Sequence, residues 1–252
     1  MLRKSTLFFV LFFFRYIYAC PVNAFFMWKD LMHLIFPAIC PACEEALPAG
    51  DSAICPSCFA KLPGTGFHLI SDNPAQHLFA GRFPFHWTGS AYHFEKGGSV
   101  QRILHEIKYR SGLRLAEQLG AAYGNDLRNA RVFPSNPVFI PVPLHPLKQH
   151  RRGYNQALFL ARGLASSFPS ARVWEGLQRT KDTDSQTKKG RFARWQNVEE
   201  VFTVNGLLPE AGSHPVLVDD VLTTGATLEA CARALRNAGM RGISAVTLAY
   251  AG

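Results

Sequence analysis

Two groups of residues in this sequence have the types and spacing to do chemistry. The first lies in VLVDDVLTTGAT, Val216 to Thr227, where three apolar residues lead into two adjacent carboxylates and then a threonine-rich loop. A short apolar run of this kind reads as a buried strand. Acids at its carboxyl end need partners, because an unpaired carboxylate in an apolar site is very costly. For Asp219 and Asp220 those partners are the hydroxyls of a vicinal diol, or a divalent cation. The loop Thr223, Thr224, Gly225, Ala226 and Thr227 opens the next helix. There the unpaired backbone N–H groups and the positive end of the helix dipole take an anion. Gly225 lets the backbone approach closely, and the threonine hydroxyls add donors. Acids for a diol, then a cup for an anion, match a ribose 5-phosphate. The competing reading is an ordinary strand-to-helix turn capped by Thr227. Capping accounts for one threonine; it leaves two acids, two further threonines and a glycine without a reason.

The second group is CPAC (Cys40, Cys43) and CPSC (Cys55, Cys58), two CxxC pairs with 11 residues between them. This is the spacing of a tetrahedral all-thiolate zinc site built from two knuckles. Disulfides, which require an oxidising compartment, and a redox pair, which more often comes singly beside a βαβ pattern, are the other readings. With four sulfurs bound, zinc keeps no open position for chemistry; it fastens a module too small to hold a core alone. Cys231 falls in the helix after the acid pair and reads as a small buried apolar residue.

The elements that must position these groups alternate. VFIPVPL is a short strand stopped by its prolines, Asn155 to Ser167 a helix, PVLVDDVL a strand, Thr227 to Ala238 a helix ended by Gly239, and ISAVTLAYA a last strand. The alternation predicts a parallel sheet covered by helices, with ligands at the carboxyl ends of its strands. Upstream, HWTGSAYHF has strand character, SVQRILHEIKYR carries apolar residues at helical spacing, and a second helix is expected from about Leu113 to Leu127. Residues 64–82 show no apolar period and read as a linker.

The chain has 252 residues and a formal charge of +9. That size allows one sizeable core with a small appended module, and the charge favours phosphate esters, nucleic acid or anionic lipid without choosing among them. The first 26 residues differ in character. Arg3 and Lys4 precede an apolar run of eight, Leu7 to Phe14, well short of the roughly 20 residues that span a bilayer. A basic start and an apolar stretch are two elements of a secretory signal, but Tyr18 and Arg15 spoil the lipoprotein-like cleavage site at Cys20. The favoured alternative is a translation start at Met27, since a ribose phosphate is a cytosolic ligand.

VLVDDVLTTGAT resembles the phosphoribosyl pyrophosphate motif of type I phosphoribosyltransferases. The wider arrangement resembles the ComF family of competence-associated proteins, through the paired CxxC motifs, PVPLHPLKQHRRGYNQA (Pro141 to Ala157) and QRTKDTDSQTKKGRFARWQNVEEVF (Gln178 to Phe202). The likeness covers about Leu31 to Ala249; Glu44 stands where a glycine is usual. It implies a type I phosphoribosyltransferase-like α/β fold behind a zinc module. The expected divisions are 1–26 outside the fold, 27–66 the four-cysteine module, 67–137 a linker and hood-like helical region, and 138–252 the phosphoribosyltransferase-like domain.

The resemblance also implies roles. Asp219 and Asp220 would hold the ribose hydroxyls with Mg²⁺ nearby, and Thr223 to Thr227 the 5′-phosphate. Pro143, Leu144 and His145 would sit near the pyrophosphate. The stretch 178–198 would act as a catalytic loop, bringing Lys181, Lys188, Arg191 or Arg194 over the diphosphate, where cations stabilise the leaving charge. For each of these, a solvated charge is the bland reading. Two functions stay open. One is a module binding phosphoribosyl pyrophosphate that assists uptake of single-stranded DNA. Its candidate contacts are Lys148, Arg151, Arg152 and Tyr154, with Tyr109 beside Lys108 and Arg110, and a DNA-uptake helicase is an implied partner. The other is an active transferase moving ribose 5-phosphate to an unidentified nitrogen acceptor. Either implies a cytoplasmic location, the first with association to the inner face of the membrane.

Overall fold

A computed structural model describes residues 38–47, 52–109, 112–134, 136–144, 146–179 and 202–252. Five parallel strands form the central sheet: β1 (Thr88–His93), β2 (Pro137–Pro141), β3 (Arg172–Val173), β6 (His214–Leu222) and β7 (Ser244–Tyr250), in the order β1-β7-β6-β2-β3. A separate antiparallel pair joins β4 (Leu177–Arg179) to β5 (Phe202–Val204). The parallel sheet expected from strand–helix alternation is present. One of its edge strands, β1, comes from residues 88–93, ahead of the 138–252 segment.

Helices cover both faces. On one side lie α3 (Ser99–Tyr109), α4 (Leu113–Asn129) and α6 (Gln156–Ser166); on the other lies α7 (Ala226–Asn237). Three shorter helices are α1 (Pro56–Ala60), α2 (Pro74–His77) and α5 (Pro146–Arg152). In α3 the buried residues are Val100, Ile103, Leu104 and Ile107, the helical stripe visible in the sequence. α4 and α6 touch backbone to backbone: a Cβ on Gly163 would lie 2.1 Å from the Glu117 carbonyl oxygen. Asn155 caps α6 by accepting from the Ala157 N–H, and its Nδ2 donates to the Val142 carbonyl at 3.0 Å, which fixes α6 against the end of β2.

The segment 64–82 is not the linker that its lack of periodicity suggested. Phe67, Ala75 and Phe79 are buried, and with Phe83 and Phe85 they build the core beneath α7. The segment does this with a single 3₁₀ turn and the four-residue α2, so no helical or strand period accompanies the burial. Asn73 is fully buried, caps α2, and donates to the Thr88 carbonyl at 2.9 Å, tying the segment to the edge strand β1.

At the amino end of β6, His214 is buried, with Nε2 2.8 Å from Ser244 Oγ and its ring 5.0 Å from that of His86. Burial, and secondarily the charge of His86, lower its pKa to about 4 from 6.5. Above the unfolded value both states are neutral and this contribution is whole. As pH falls from 6.5 towards 4, the unfolded chain takes up a proton that the folded chain refuses, and the contribution is lost. Urea unfolding should therefore show stability dropping across that window by on the order of 3 kcal/mol. The drop should be flattened in His214→Gln. An equally steep drop in that variant would rule His214 out as the cause.

Candidate functional site

Strand β6 does not stop before its acids. It runs to Leu222, because β7 continues to pair with it: Asp219 lies opposite Thr247 and Leu222 opposite Tyr250. On the other side β2 ends at Pro141, opposite Val218. Asp219 to Leu222 thus has a strand neighbour on one side and, among the described residues, none on the other. Successive side chains on a strand leave on opposite faces. Asp220 follows Val216 and Val218 towards the α3 and α6 side. Asp219 leaves on the α7 side, where its charge helps hold the Cys231 thiol protonated; burial is the larger cause.

The two acids are held differently. Asp219 Oδ1 accepts from the backbone N–H of Asp220 at 2.8 Å. Burial and then the Asp220 charge push the Asp219 carboxyl well above the usual carboxylate range, against the opposing pull of Lys108. Asp220 Oδ2 lies 2.9 Å from Lys108 Nζ and accepts from Gln156 Nε2 at 3.0 Å. Lys108 had read as a solvated cation or a DNA contact, and Gln156 only as part of the Tyr154-Asn155-Gln156 run. Nothing in the sequence signals that residues so far apart share one carboxylate oxygen.

After Leu222 the chain turns through exposed Thr223 and Thr224 to Gly225, which caps α7 in the left-handed region (φ 72°) with no side-chain cap bond. Thr227 lies inside the first turn and is exposed, so the capping alternative for it does not hold. The first α7 backbone bond runs from the Glu229 N–H to the Gly225 carbonyl, so the N–H groups before it have no acceptor within the helix. Behind the loop, Arg82 Nη1 donates to the Thr224 carbonyl at 2.8 Å while its Nη2 pairs with Glu229 at 2.6 Å. Arg233 binds the other Glu229 oxygen at 2.8 Å. These contacts anchor the loop, while Thr223, Thr224, Ala226 and Thr227 remain exposed.

Gly225 is confined twice over. A Cβ there would lie 2.5 Å from Cε1 of Phe79, and the positive φ strains any side chain. Gly225→Ala should cost about 1–3 kcal/mol of stability through that strain. It should also weaken binding of inorganic phosphate, by titration calorimetry; unchanged binding would place the anion elsewhere.

Pro143 and Leu144 line a cleft of about 570 Å³ with Gly153, Tyr154, Asn155 and the residues of β4. His145, Lys181, Lys188, Arg191 and Arg194 lie outside the described residues, as does the side chain of Lys148. Arg151 is exposed. Two of the expected DNA contacts are instead engaged within the protein. The Tyr154 hydroxyl donates to the Ile107 carbonyl and its ring meets Phe159 edge-on. The Arg152 guanidinium sits 5.2 Å from the Tyr109 ring centroid and donates to Gln156 Oε1 at 3.0 Å. Tyr109 itself is 62% exposed.

At the other end of α3, the sulfurs of Cys40, Cys43, Cys55 and Cys58 all lie within 4.8 Å of one another, and Cys43 and Cys55 are 3.9 Å apart. Zinc–sulfur bonds of about 2.3 Å in a tetrahedron put the sulfurs about 3.8 Å apart, so the cluster fits a zinc module. Burial opposes ionisation of Cys40, but N–H groups of Cys55, Ala42 and Cys43 outweigh it and lower the thiol to about 7. Cys58 is pushed up to about 12, first by its hydrogen bond to Cys55 and then by burial. Glu44, in the place of the usual glycine, has φ 65° and donates its N–H to the Cys40 carbonyl at 2.8 Å. The knuckle keeps its shape at a local cost of about 1–2 kcal/mol. The module rests on the domain: Arg102 of α3 donates twice to the Ala42 carbonyl, and Gln118 of α4 accepts from the Ala53 N–H.

Comparison with known proteins adds to this geometry. Residues 155–252 match the family described as "Phosphoribosyl transferase domain". The chain is 37% identical over 153 residues to "Competence protein F" of Haemophilus influenzae, covering 60% of this chain and 66% of that protein. It is 28% identical over 206 residues to "DNA utilization protein YhgH" of Escherichia coli O157:H7, covering 80% and 85%. "Competence protein ComFC" of Bacillus subtilis is 29% identical over 143 residues, covering 56% and 55%. The chain thus spans just under two thirds of the Haemophilus protein and about half of the Bacillus one.

Proposed function

We propose, from the likeness to competence protein F and its relatives and from the match to a phosphoribosyl transferase domain, that this chain binds phosphoribosyl pyrophosphate at the end of β6 and serves uptake of single-stranded DNA. One observation carries the reading: a mostly buried acid pair stands three residues before an exposed threonine loop whose helix N-terminus lacks backbone acceptors. Asp219 and Asp220 accept from the ribose hydroxyls. The N–H groups and hydroxyls from Thr223 to Thr227, Ala226 included, hold the 5′-phosphate. The diphosphate extends towards Pro143, Leu144 and His145, where Lys181, Arg191 and Arg194 supply the neutralising charge.

Mg²⁺ arrives with the ligand. Asp220 Oδ2 already carries an ammonium and an amide, so the acid pair would leave most of the coordination of Mg²⁺ to the ligand, whose charge the ion would neutralise. Zinc in the four-thiolate cluster is structural. Among the described residues no helix is long and apolar enough to cross a membrane; a cytoplasmic location, with contact at the inner membrane face, follows from the DNA-uptake reading.

For DNA, the exposed members of the candidate set among the described residues are Arg151 and Tyr109, a cation and a stacking face of the kind that holds single strands without sequence preference. The second reading, an active transferase, is favoured by the match of residues 155–252 to a phosphoribosyl transferase domain. Titration calorimetry with phosphoribosyl pyrophosphate and Mg²⁺ tests the shared core of both readings, and absence of heat at millimolar ligand would end it. Pyrophosphate release with a panel of amines and bases then separates the enzyme from the module. Single-strand binding whose log–log salt slope is near zero, instead of about −0.7 per phosphate neutralised, would remove the DNA role.

A further inference from the structure

Asp220 is served by two elements that arrive from different parts of the chain, and both bind the same oxygen. Lys108 stands in the last turn of α3 and reaches Oδ2 at 2.9 Å; its side chain is 25% exposed and that of Asp220 14%. Gln156 opens α6, is 4% exposed, and donates from Nε2 to the same atom at 3.0 Å. The orientation of the Gln156 amide is itself fixed, because Arg152 Nη1 donates to its Oε1 at 3.0 Å, leaving the NH₂ end to face the acid. The two helices are pinned where this happens, since the Tyr154 hydroxyl just before α6 donates to the Ile107 carbonyl just before Lys108. A carboxylate has two oxygens and about four acceptor sites. When two donors, one of them cationic, converge on Oδ2, the carboxyl plane is set and its charge is balanced.

We propose that Lys108 and Gln156 are positioning residues of the ribose site: they hold Asp220 by Oδ2 and present Oδ1 to the sugar diol. This rests on the ribose-phosphate reading above and adds two residues to it. Its physical consequence is a division of labour. The loop at α7 binds a phosphate without help from Lys108, whereas recognition of the sugar hydroxyls depends on it. Because Lys108 already neutralises Asp220, the sugar is bound without a divalent cation on that carboxylate.

The test uses the full chain and two probes, ribose 5-phosphate in the presence of EDTA and inorganic phosphate, each titrated calorimetrically. Wild type is expected to bind ribose 5-phosphate more tightly than phosphate with no metal present. Lys108→Met should lose about tenfold or more of the ribose 5-phosphate affinity, as expected when a charged hydrogen-bond partner is removed, and keep its phosphate affinity. Lys108→Arg should recover part of the loss. Gln156→Met, which leaves the ion pair intact, should give a smaller loss in the same direction and provides a second arm if Lys108→Met does not fold. In the Asp220→Asn background, Lys108→Met should add nothing, the signature of two residues acting as one unit. Equal affinity of wild type and Lys108→Met for ribose 5-phosphate overturns the proposal. So does a parallel loss of phosphate binding, or additivity with Asp220→Asn. If wild type binds phosphate but gains nothing from the ribose, the diol reading itself falls and the proposal with it. Wild-type preference for the sugar without any Lys108 effect overturns the positioning proposal and leaves the ribose reading standing.

Discussion

Replacing Asp219 and Asp220 together by asparagine is expected to reduce affinity for phosphoribosyl pyrophosphate by at least about 100-fold while leaving the protein folded. Each carboxylate accepts charge-assisted bonds worth about 1.5–3 kcal/mol, and an amide oxygen that accepts the same proton without charge retains only part of that. The fold should tolerate the change for reasons visible in the contacts. An asparagine at 219 can still accept from the backbone N–H that Asp219 holds at 2.8 Å, and it removes a charge that burial disfavours. Lys108 loses its partner but retains access to water through a quarter-exposed side chain. The thermal midpoint should therefore change little, or rise. Calorimetry with ligand and Mg²⁺, set beside a melting curve, checks both halves. Equal heats for wild type and variant would remove the acid pair from the site.

Stripping the four-cysteine module of metal is the second large effect. Structural zinc in small modules contributes about 10–16 kcal/mol of apparent binding free energy at neutral pH, and that free energy is largely folding free energy. Chelation, or Cys40→Ser at a fully buried ligand, should release one equivalent of metal. Residues 38–62 should then become open to hydrogen exchange and proteolysis. The central sheet has its own apolar core on both faces and should persist as a folded body, somewhat destabilised on the α3 and α4 side, where Arg102 and Gln118 lose the Ala42 and Ala53 contacts. Metal analysis giving much less than one zinc per chain, or full protection of residues 38–62 in the stripped protein, would contradict a structural metal.

Among the features described, those legible from the sequence work through neighbours in the chain. Paired CxxC motifs bring four sulfurs together because each pair sits on one tight turn, and the structure gathers them within 4.8 Å. An apolar strand running into a Thr/Gly loop and a helix is likewise a local construction, so that strand, turn and helix could be read directly. Burial of Cys231 followed from the apolar stripe of its own helix. The parallel sheet followed from alternation alone, since strands joined through helices have little other way to cover their faces.

What the tertiary structure decided depends on residues far apart in the chain. The phenylalanines at 67, 79, 83 and 85 are core although they lack a period, because α7 and the sheet supply the other walls of their pocket. β6 continues through its acids because β7 keeps pairing with it, and its β2-side edge opens because β2 stops at Pro141. Gly225 rather than Thr227 caps α7, and Glu44 takes a left-handed conformation that its side chain does not favour. The partner of Asp220 was hidden most completely. Lys108 lies 112 positions before it and looks, in sequence, like any cation on a solvated helix face. The sequence alone marked out the acid pair, the Thr/Gly loop and the four cysteines, because each is a local run of residues. That Lys108 and Gln156 converge on Oδ2 of Asp220 was set only when α3 and α6 packed together, because it depends on where separate helices bring their side chains.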